Sequence, residues 1–310
     1  MFLLKQKVEE YTYTNISESY PDWMAGTSYV IGDVVRDSNW YWKSAVANSD
    51  AVRPSLNLTK WVKIRPSNRY AMLDTASLTF SDNQNNTSGD PTEGIIVEFD
   101  NPRYDTITLG YVLGGSIKIE LSEDDFATIS WEWNWTADAG EGEGATADWY
   151  SYYYGLFAEG GDYHSHYIPI PTKSGKIRVT IMPSGTDAGL AKCGYMVCGN
   201  NIYTGCTLDA VSLGFNDYSI KSNDEFGTTV LKNRQAQQTM DVTTEIESDA
   251  LMTMQKKVRD LLGCSIVAIG DPYGSKFQHL IILCYIESFS ATASSTDKNY
   301  ADFTLIETIF

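Results

Sequence analysis

The sequence predicts a mainly β protein in three parts: a small three-stranded aromatic module, a β-sandwich of the jelly-roll type, and a C-terminal β-sheet with one packed α-helix. Apolar residues alternate at period two in many short segments, turn residues separate these segments, and one stretch has helical periodicity. The predicted boundaries are an N-terminal arm at 1–20, the module at 21–66, the sandwich at 67–205, and the helix-on-sheet domain at 206–310 with an extended arm at 211–234.

The helix is predicted from Ser248 to Leu262. Its apolar residues share one face at helical spacing, and these are Leu251, Met254, Val258, Leu261 and Leu262. Ser248 is a suitable N-cap, and Gly263 suits the position after the last turn because glycine tolerates positive φ. Strands are predicted at 235–246, 264–269, 280–286 and 303–309, so the helix is expected to pack across a mostly antiparallel sheet.

The N-terminal arm and the module come first in the chain. Residues 1–20 suit a strand that pairs with a neighbour or a later domain, or else a frayed terminus. The module contains predicted strands at 30–36, 40–45 and 61–64, and its core is expected to need Trp23, Tyr29 and Trp61. Trp40, Tyr41 and Trp42 follow one another on a single strand. Because side chains alternate between the two faces, at least one of these rings is expected at the surface.

Short alternating strands continue through the predicted sandwich, at 78–80, 94–99, 106–109, 116–121 and 177–181. Within it, the segment 131–168 is rich in Trp and Tyr around an acidic, glycine-rich loop. Three interpretations stay open for this segment: a glycan-binding platform, a protein–protein interface, or a core strand with a long insertion. His164 and His166 share a strand face, but no third metal ligand is identifiable, so a surface histidine pair is expected.

The segment 211–234 is predicted to be a long extended hairpin with a polar tip. Its apolar, charged and β-branched residues suit lateral pairing with the sheet edge of another subunit. The candidate subunit-interface residues are Tyr218, Lys221, Asp224, Glu225 and Phe226.

Composition limits the possible partners. The net charge of −17 disfavours nucleic acid and anionic membranes, and no apolar run is long enough to span a bilayer. An odd count of five cysteines agrees with reduced, buried thiols and with synthesis in a cytoplasm. We therefore expect neither specific nucleic-acid binding nor membrane insertion.

The module resembles the small chitin- and cellulose-binding modules of bacterial chitinases, copies of which occur in phage tail proteins. The resemblance is carried by Trp23, the Tyr29-x-x-Gly32-Asp33-x-Val35 core, Trp40-Tyr41-x-Lys43-Ser44, Asn48, Pro54 and Trp61. In those modules exposed aromatic rings stack on sugars, which implies Trp40, Tyr41, Trp42, Trp23, Tyr29 and Trp61 as carbohydrate-binding candidates. A purely structural role for the module is the alternative.

From Asn68 onward the chain resembles tailed-phage tail-tip or baseplate proteins of the distal-tail type. The resemblance is carried by Trp61 and Pro66 with the run Asn68-Arg69-Tyr70-Ala71-Met72-Leu73-Asp74, and by Tyr218-Ser219-x-Lys221 with Asp224-Glu225-Phe226-Gly227-Thr228-Thr229. The predicted helix and the closing Phe303-x-Leu305-x-Glu307 also fit it. It implies a virion protein that forms a hexameric or trimeric ring and contacts tail-tube, baseplate or fibre proteins. The loop at 137–148 and the aromatic run at 149–154 depart from the pattern.

No motif selects a catalytic pair of carboxylates, a nucleophile elbow or a phosphate-binding loop. The sequence therefore favours a structural protein that is not an enzyme, with no catalytic residues, no cofactor and no metal. Its alternative function is a glycan-binding adhesin for host surface polysaccharide.

Overall fold

The protein is described by a computed structural model for residues 1–49, 51–83, 93–137, 163–183, 190–223, 229–247, 249–270, 280–293 and 298–309. It is mainly β with several sheets, which confirms the predicted class. In chain order the strands are β1 (Phe2–Lys5), β2 (Tyr13–Thr14), β3 (Val34–Asp37), β4 (Trp40–Ser44), β5 (Trp61–Pro66), β6 (Ser81–Asp82), β7 (Ile95–Asn101), β8 (Thr106–Val112), β9 (Ser116–Ser122), β10 (Trp131–Thr136), β11 (His164–Pro169), β12 (Gly175–Met182), β13 (Lys192–Cys193), β14 (Tyr195–Gly199), β15 (Asn201–Tyr203), β16 (Cys206–Asn216), β17 (Ile220–Asn223), β18 (Thr229–Lys232), β19 (Gln237–Glu247), β20 (Ile266–Ile269), β21 (Ile281–Thr292) and β22 (Lys298–Glu307).

The largest sheet has seven strands in the order β15-β1-β20-β21-β22-β19-β16, and its adjacent strands are antiparallel. The helix α1 (Leu251–Arg259) packs on one face of this sheet through Met254 and Val258. Gly263 has φ +76° after the helix, as its predicted position requires. Leu262, predicted on the buried face, is instead exposed, because it lies in the turns that follow Arg259 and no longer keeps the helical phase.

The N-terminal segment belongs to this sheet. β1 lies between β15 and β20, with Phe2 opposite both Tyr203 and Ile269. The first residues thus pair within their own chain, with β15 about 200 residues later and with β20 more than 260 residues later. Leu3 and Leu4 point to opposite faces of the sheet and both are fully buried.

The other face of the seven-stranded sheet packs on a sandwich. One layer of this sandwich is the five-stranded sheet β10-β9-β12-β7-β2, and the other is the three-stranded sheet β11-β8-β14. Side chains of β14 alternate between the sandwich core and the seven-stranded sheet. Met196 and Cys198 face the sandwich core, while Tyr195 and Val197 pack against Val267 of β20. The order of layers is therefore helix, seven-stranded sheet, three-stranded sheet and five-stranded sheet.

A β-bulge directs one tyrosine from the sandwich to the large sheet. Leu109 pairs with His166 and Val112 pairs with His164, so Gly110 and Tyr111 lie opposite a single residue of β11. Tyr111 has φ +51°, which rotates its ring away from the sandwich core while Leu109 and Val112 both stay in it. The Tyr111 ring then lies 6.1 Å from the ring of Tyr195, edge to face.

Glu307, at the end of β22, joins the sandwich to the large sheet. It is only 3% exposed, and its carboxylate accepts hydrogen bonds from Ser77 Oγ at 2.6 Å, Tyr111 OH at 2.8 Å and the Gln238 backbone N–H at 3.0 Å. Burial, together with this carboxylate, raises the pKa of Tyr111. Three donors from three segments of the chain thus converge on one buried carboxylate.

We expect Glu307→Ala to lower the free energy of unfolding by about 3 kcal/mol, because it leaves buried donors without their acceptor. Tyr111→Phe, which removes one of the three donors, should cost about 1 kcal/mol. The exposed Glu287 of β21 provides the control, and Glu287→Ala should change stability by less than about 0.5 kcal/mol. Chemical denaturation of the full chain measures all three, and equal losses for Glu307→Ala and Glu287→Ala would contradict the role assigned to Glu307.

Candidate functional site

Three of the six aromatic residues predicted to bind sugar lie in the core of the small module. Its sheet has the order β3-β4-β5, and Tyr29, Trp42 and Trp61 are buried in one cluster with Val35. The rings of Tyr29 and Trp61 meet edge to face at 5.2 Å. These three predicted carbohydrate-binding side chains are thus packed inside the module, and none of them offers a ring face to a ligand.

Tyr41, the fourth buried candidate, faces the opposite side of the same sheet and anchors the module to the rest of the chain. It is 0% exposed, and its hydroxyl donates to Glu18 Oε2 at 2.5 Å while accepting from the backbone N–H groups of Ser19 and Asn68. The same Glu18 carboxylate binds Arg36 of β3 at 3.1 Å. Burial is the main cause that raises the pKa of Tyr41, and the bond to Glu18 adds to it.

Asn68, the first residue of the run that carries the phage resemblance, completes this junction. Its side-chain amide donates to the carbonyls of Ser17 and Asp82, and its Oδ1 accepts from the Asp82 backbone N–H at 2.9 Å. Asn68 therefore joins the segment before the module, the segment after it and β6 through one buried side chain. The position needs a small amide that both donates and accepts.

Trp23 and Trp40 are the two sugar-binding candidates that keep partial exposure. Both pack against the edge of the module core. The Nζ of Lys63 lies 3.1 Å from the centre of the Trp40 ring, a cation–π contact. Of the six residues predicted to stack on sugars, Trp23 and Trp40 are therefore the two with partly exposed rings. The Trp40 ring is in contact with the positively charged Lys63.

The module differs from the rest of the chain in charge and surface character. Residues 21–66 contain six Lys and Arg against four Asp, a net charge of +2, in a chain whose net charge is −17. Its exposed apolar side chains are numerous, and they are Met24, Val30, Ile31, Val46, Val52, Leu56, Leu58, Val62 and Ile64. A count of charge by segment identifies this unit from sequence alone, whereas the whole-chain charge conceals it.

A second aromatic cluster lies on the sandwich, where the two edge strands β10 and β11 face each other. Trp131, Trp133 and Trp135 are half-buried against the sandwich core, and the residues between them are exposed. The Trp135 ring lies 4.9 Å from the ring of His164 and 4.6 Å from that of His166. For these tryptophans the packing agrees with the core-strand interpretation. Residues 138–148 of the loop predicted at 137–148, and the aromatic run at 149–154, lie outside the described residues.

His166 is buried in this cluster, and Nε2 has no hydrogen-bond partner among the described residues. Burial, with a contribution from His164, lowers its pKa from 6.5 to about 4. The residues that the structure describes contain no group of three or more His, Cys, Asp or Glu placed to hold a metal ion. Of the five cysteines, Cys193, Cys198 and Cys284 are buried, whereas Cys206 is exposed.

The candidate assembly surface combines an open sheet edge with a hairpin. β16 is the outer strand of the seven-stranded sheet, and residues 210–216 contain no charged side chain. Leu213 and Phe215 of this strand are 39% and 74% exposed. Native edge strands are usually protected by proline, lysine or other charged residues, and residues 210–216 contain neither proline nor a charged side chain.

β17 and β18 pair in a separate two-stranded sheet, whereas residues 211–216 of the predicted long arm belong to β16 of the large sheet. Tyr218 is half-exposed and donates to Gln237 Oε1 at 2.7 Å, and Lys221 forms an ion pair with Asp217 at 2.8 Å. Ile220 and Leu231 are exposed on it. The other interface candidates, Asp224, Glu225 and Phe226, lie outside the described residues.

No protein-family model matches the chain, and no curated protein matches it. Among the described residues, no helix has both the length and the hydrophobicity to span a bilayer.

Two buried titratable groups should give the stability opposite pH dependences. Burial raises the pKa of Asp74 from 3.8 to about 7, although it accepts hydrogen bonds from the Ala76 N–H and the Thr79 hydroxyl. Between these two values the folded state keeps a proton that the unfolded state has lost, so stability falls as pH rises. For His166, between about 4 and 6.5 the unfolded state binds the extra proton, so stability falls as pH drops.

We therefore expect Asp74→Asn and His166→Phe to tilt the pH profile of the unfolding free energy in opposite directions between about pH 4 and 6.5. Asp74→Asn should leave stability rising with pH over this range, and His166→Phe should leave it falling, each by up to about 1.4 kcal/mol per pH unit. Urea denaturation at several pH values measures both slopes. The exposed Asp241 supplies the control Asp241→Asn, whose profile should follow the unsubstituted protein; three parallel profiles would refute the assignment.

Proposed function

We propose that the chain is a structural subunit of a bacteriophage tail tip or baseplate, part of an oligomeric ring that connects the tail tube to host-binding parts. The observation that carries this proposal is the open edge of β16 with its uncharged stretch at 210–216 and the adjoining hairpin. Such an edge presents unpaired backbone donors and acceptors to another chain, which is how sheets extend between subunits.

The arrangement of the layers supports the same proposal. We assign the seven-stranded sheet with its packed helix to the type found in tail-tube and hub proteins, and the sandwich behind it to the jelly-roll type. The sandwich and helix cover the two faces of the central strands, and among the described residues β16 is one of the two outer strands of the large sheet and pairs on one side only. The resemblance of the Asn68 run and of the closing strand to distal-tail proteins adds a virion location and neighbouring tail-tube, baseplate or fibre proteins as partners.

We expect the full-length protein to assemble into rings, visible by negative-stain microscopy and measurable by native mass spectrometry. Phe215→Asp should shift the assembly to monomers, because it places a charge on the proposed contact and opposes strand pairing. Leu231→Asp tests the hairpin in the same way.

The control is Met252→Asp, which introduces the same charge at an equally exposed apolar position of α1, where Met252 is 71% exposed against 74% for Phe215. This variant should still form rings. A protein that stays monomeric at all concentrations and binds no tail component would contradict the proposal.

A glycan-binding adhesin is the second candidate, and the surface of the module favours it. Trp23 and Trp40 are partly exposed on a unit of net charge +2, and sugar rings stack on aromatic side chains through their apolar faces. In this candidate function the module decorates the ring and contacts polysaccharide of the host surface.

We expect Trp40→Ala to weaken binding of the full-length protein to host polysaccharide on a glycan array by about ten-fold, the loss of one stacked ring. Tyr300→Ala removes a partly exposed ring from β22 and serves as the matched control that should keep binding. If both variants bind as well as the unsubstituted protein, the Trp40 surface takes no part in recognition.

A further inference from the structure

A cleft of about 330 Å³ lies where the module, the sandwich and the C-terminal sheet meet. Its walls include Arg65 from β5, the segment 78–80, Asp82 and Lys192 from the β6–β13 pair, and Gln235 just before β19. Small-molecule sites commonly occupy such junctions and have volumes of about 300–1,000 Å³. None of the residues that line it belongs to the aromatic candidates described above.

Two cations line this cleft in a strongly acidic protein. Arg65 and Lys192 both line it, and neither forms an ion pair with any described carboxylate. The only described contact of the Arg65 guanidinium with a ring is its position 5.4 Å from the centre of Tyr41. An arginine fork beside a lysine is the side-chain pair that proteins use to bind carboxylate or phosphate.

The other residues that line the cleft offer hydrogen-bonding groups and an apolar wall, which suit the hydroxyl groups and the apolar face of a sugar. The Asp82 carboxylate can accept hydrogen bonds from hydroxyl groups, and the Gln235 amide can both accept hydrogen bonds from them and donate to them. Leu78 and Phe80 form an apolar wall, and the Phe80 ring is itself supported by Tyr163 at 5.4 Å. Thr79, also in the wall, donates to Asp74 beneath it at 2.8 Å.

We propose that this cleft binds an acidic sugar residue, with its anionic group held by Arg65 and Lys192, its hydroxyls by Asp82 and Gln235, and its apolar face against Phe80. A carboxylated and a phosphorylated sugar share this chemistry. This inference rests on the glycan-binding function proposed above and adds the class of ligand. It does not depend on whether the protein forms rings.

The test uses the full-length protein and isothermal titration with three probes: digalacturonic acid, glucose 6-phosphate and neutral cellobiose. At least one of the acidic probes should bind, cellobiose should not, and raising the salt from about 50 to about 500 mM should weaken the acidic ligand. Tighter binding of digalacturonic acid would identify a carboxylated polymer as the source of the ligand, and tighter binding of glucose 6-phosphate a phosphorylated one. Equal binding of acidic and neutral probes, or binding of neither, overturns the proposal.

Variants locate the site. Arg65→Gln and Lys192→Gln should each weaken the acidic probe by about ten-fold or more, the loss of one charge-assisted contact. Lys43→Gln is the control, since Lys43 is an exposed cation of the same module but lies on β4 beside Val62, away from the cleft. It should change affinity by less than about two-fold, and an equal loss in all three variants would reduce the effect to overall charge and refute the site.

Failure here is distinguishable from failure of the functions proposed above. Ring assembly is measured without any ligand, and a glycan that binds through Trp40 alone would be lost in Trp40→Ala and kept in Arg65→Gln. Because Arg65 also packs near Tyr41, the Arg65→Gln variant is checked for an unchanged unfolding free energy. Lys192→Gln gives the same test at a position with no such contact.

Discussion

The burial of both faces of the central strands is the constraint on which the rest of this structure depends. All four residues of β20 are buried, two against the helix side and two against the sandwich side. A strand in this position has to be apolar throughout, and its backbone groups have to be paired on both edges. β1 pairs with one edge of β20, so the first residues of the chain lie inside the sheet, between β20 and the outer strand β15.

The same layering explains how the parts of the chain are held in place. The Glu307 carboxylate accepts hydrogen bonds from donors in the sandwich and in the large sheet. The Tyr111 hydroxyl reaches this carboxylate only because of the bulge in β8. At the other end, Tyr41, Glu18 and Asn68 fix the module to the sandwich through buried hydrogen bonds. Buried polar groups of this kind specify orientation, because leaving any one of them unpaired is costly.

Charge then distinguishes the surfaces that remain open. The module carries a net charge of +2 in a chain of −17, and the cleft beside it is lined by both Arg65 and Lys192. The β16 edge, by contrast, is uncharged over residues 210–216. An uncharged edge suits repeated pairing between copies that would otherwise repel each other, whereas a basic cleft suits an anionic ligand. The two open surfaces therefore call for different partners.

The sequence by itself determined the local elements: the helix and its terminating Gly263, the strands with period-two alternation, and the small module with its crowded aromatics, because these depend on neighbouring residues. It also anticipated that Trp40, Tyr41 and Trp42 could not share one face. Only the tertiary structure decided that Tyr41 is an anchor and Trp42 a core residue, that β1 enters a distant sheet, and that Arg65 and Lys192 line the same cleft. Each of these depends on contacts between residues far apart in the chain, and such contacts leave no periodic signal in the sequence.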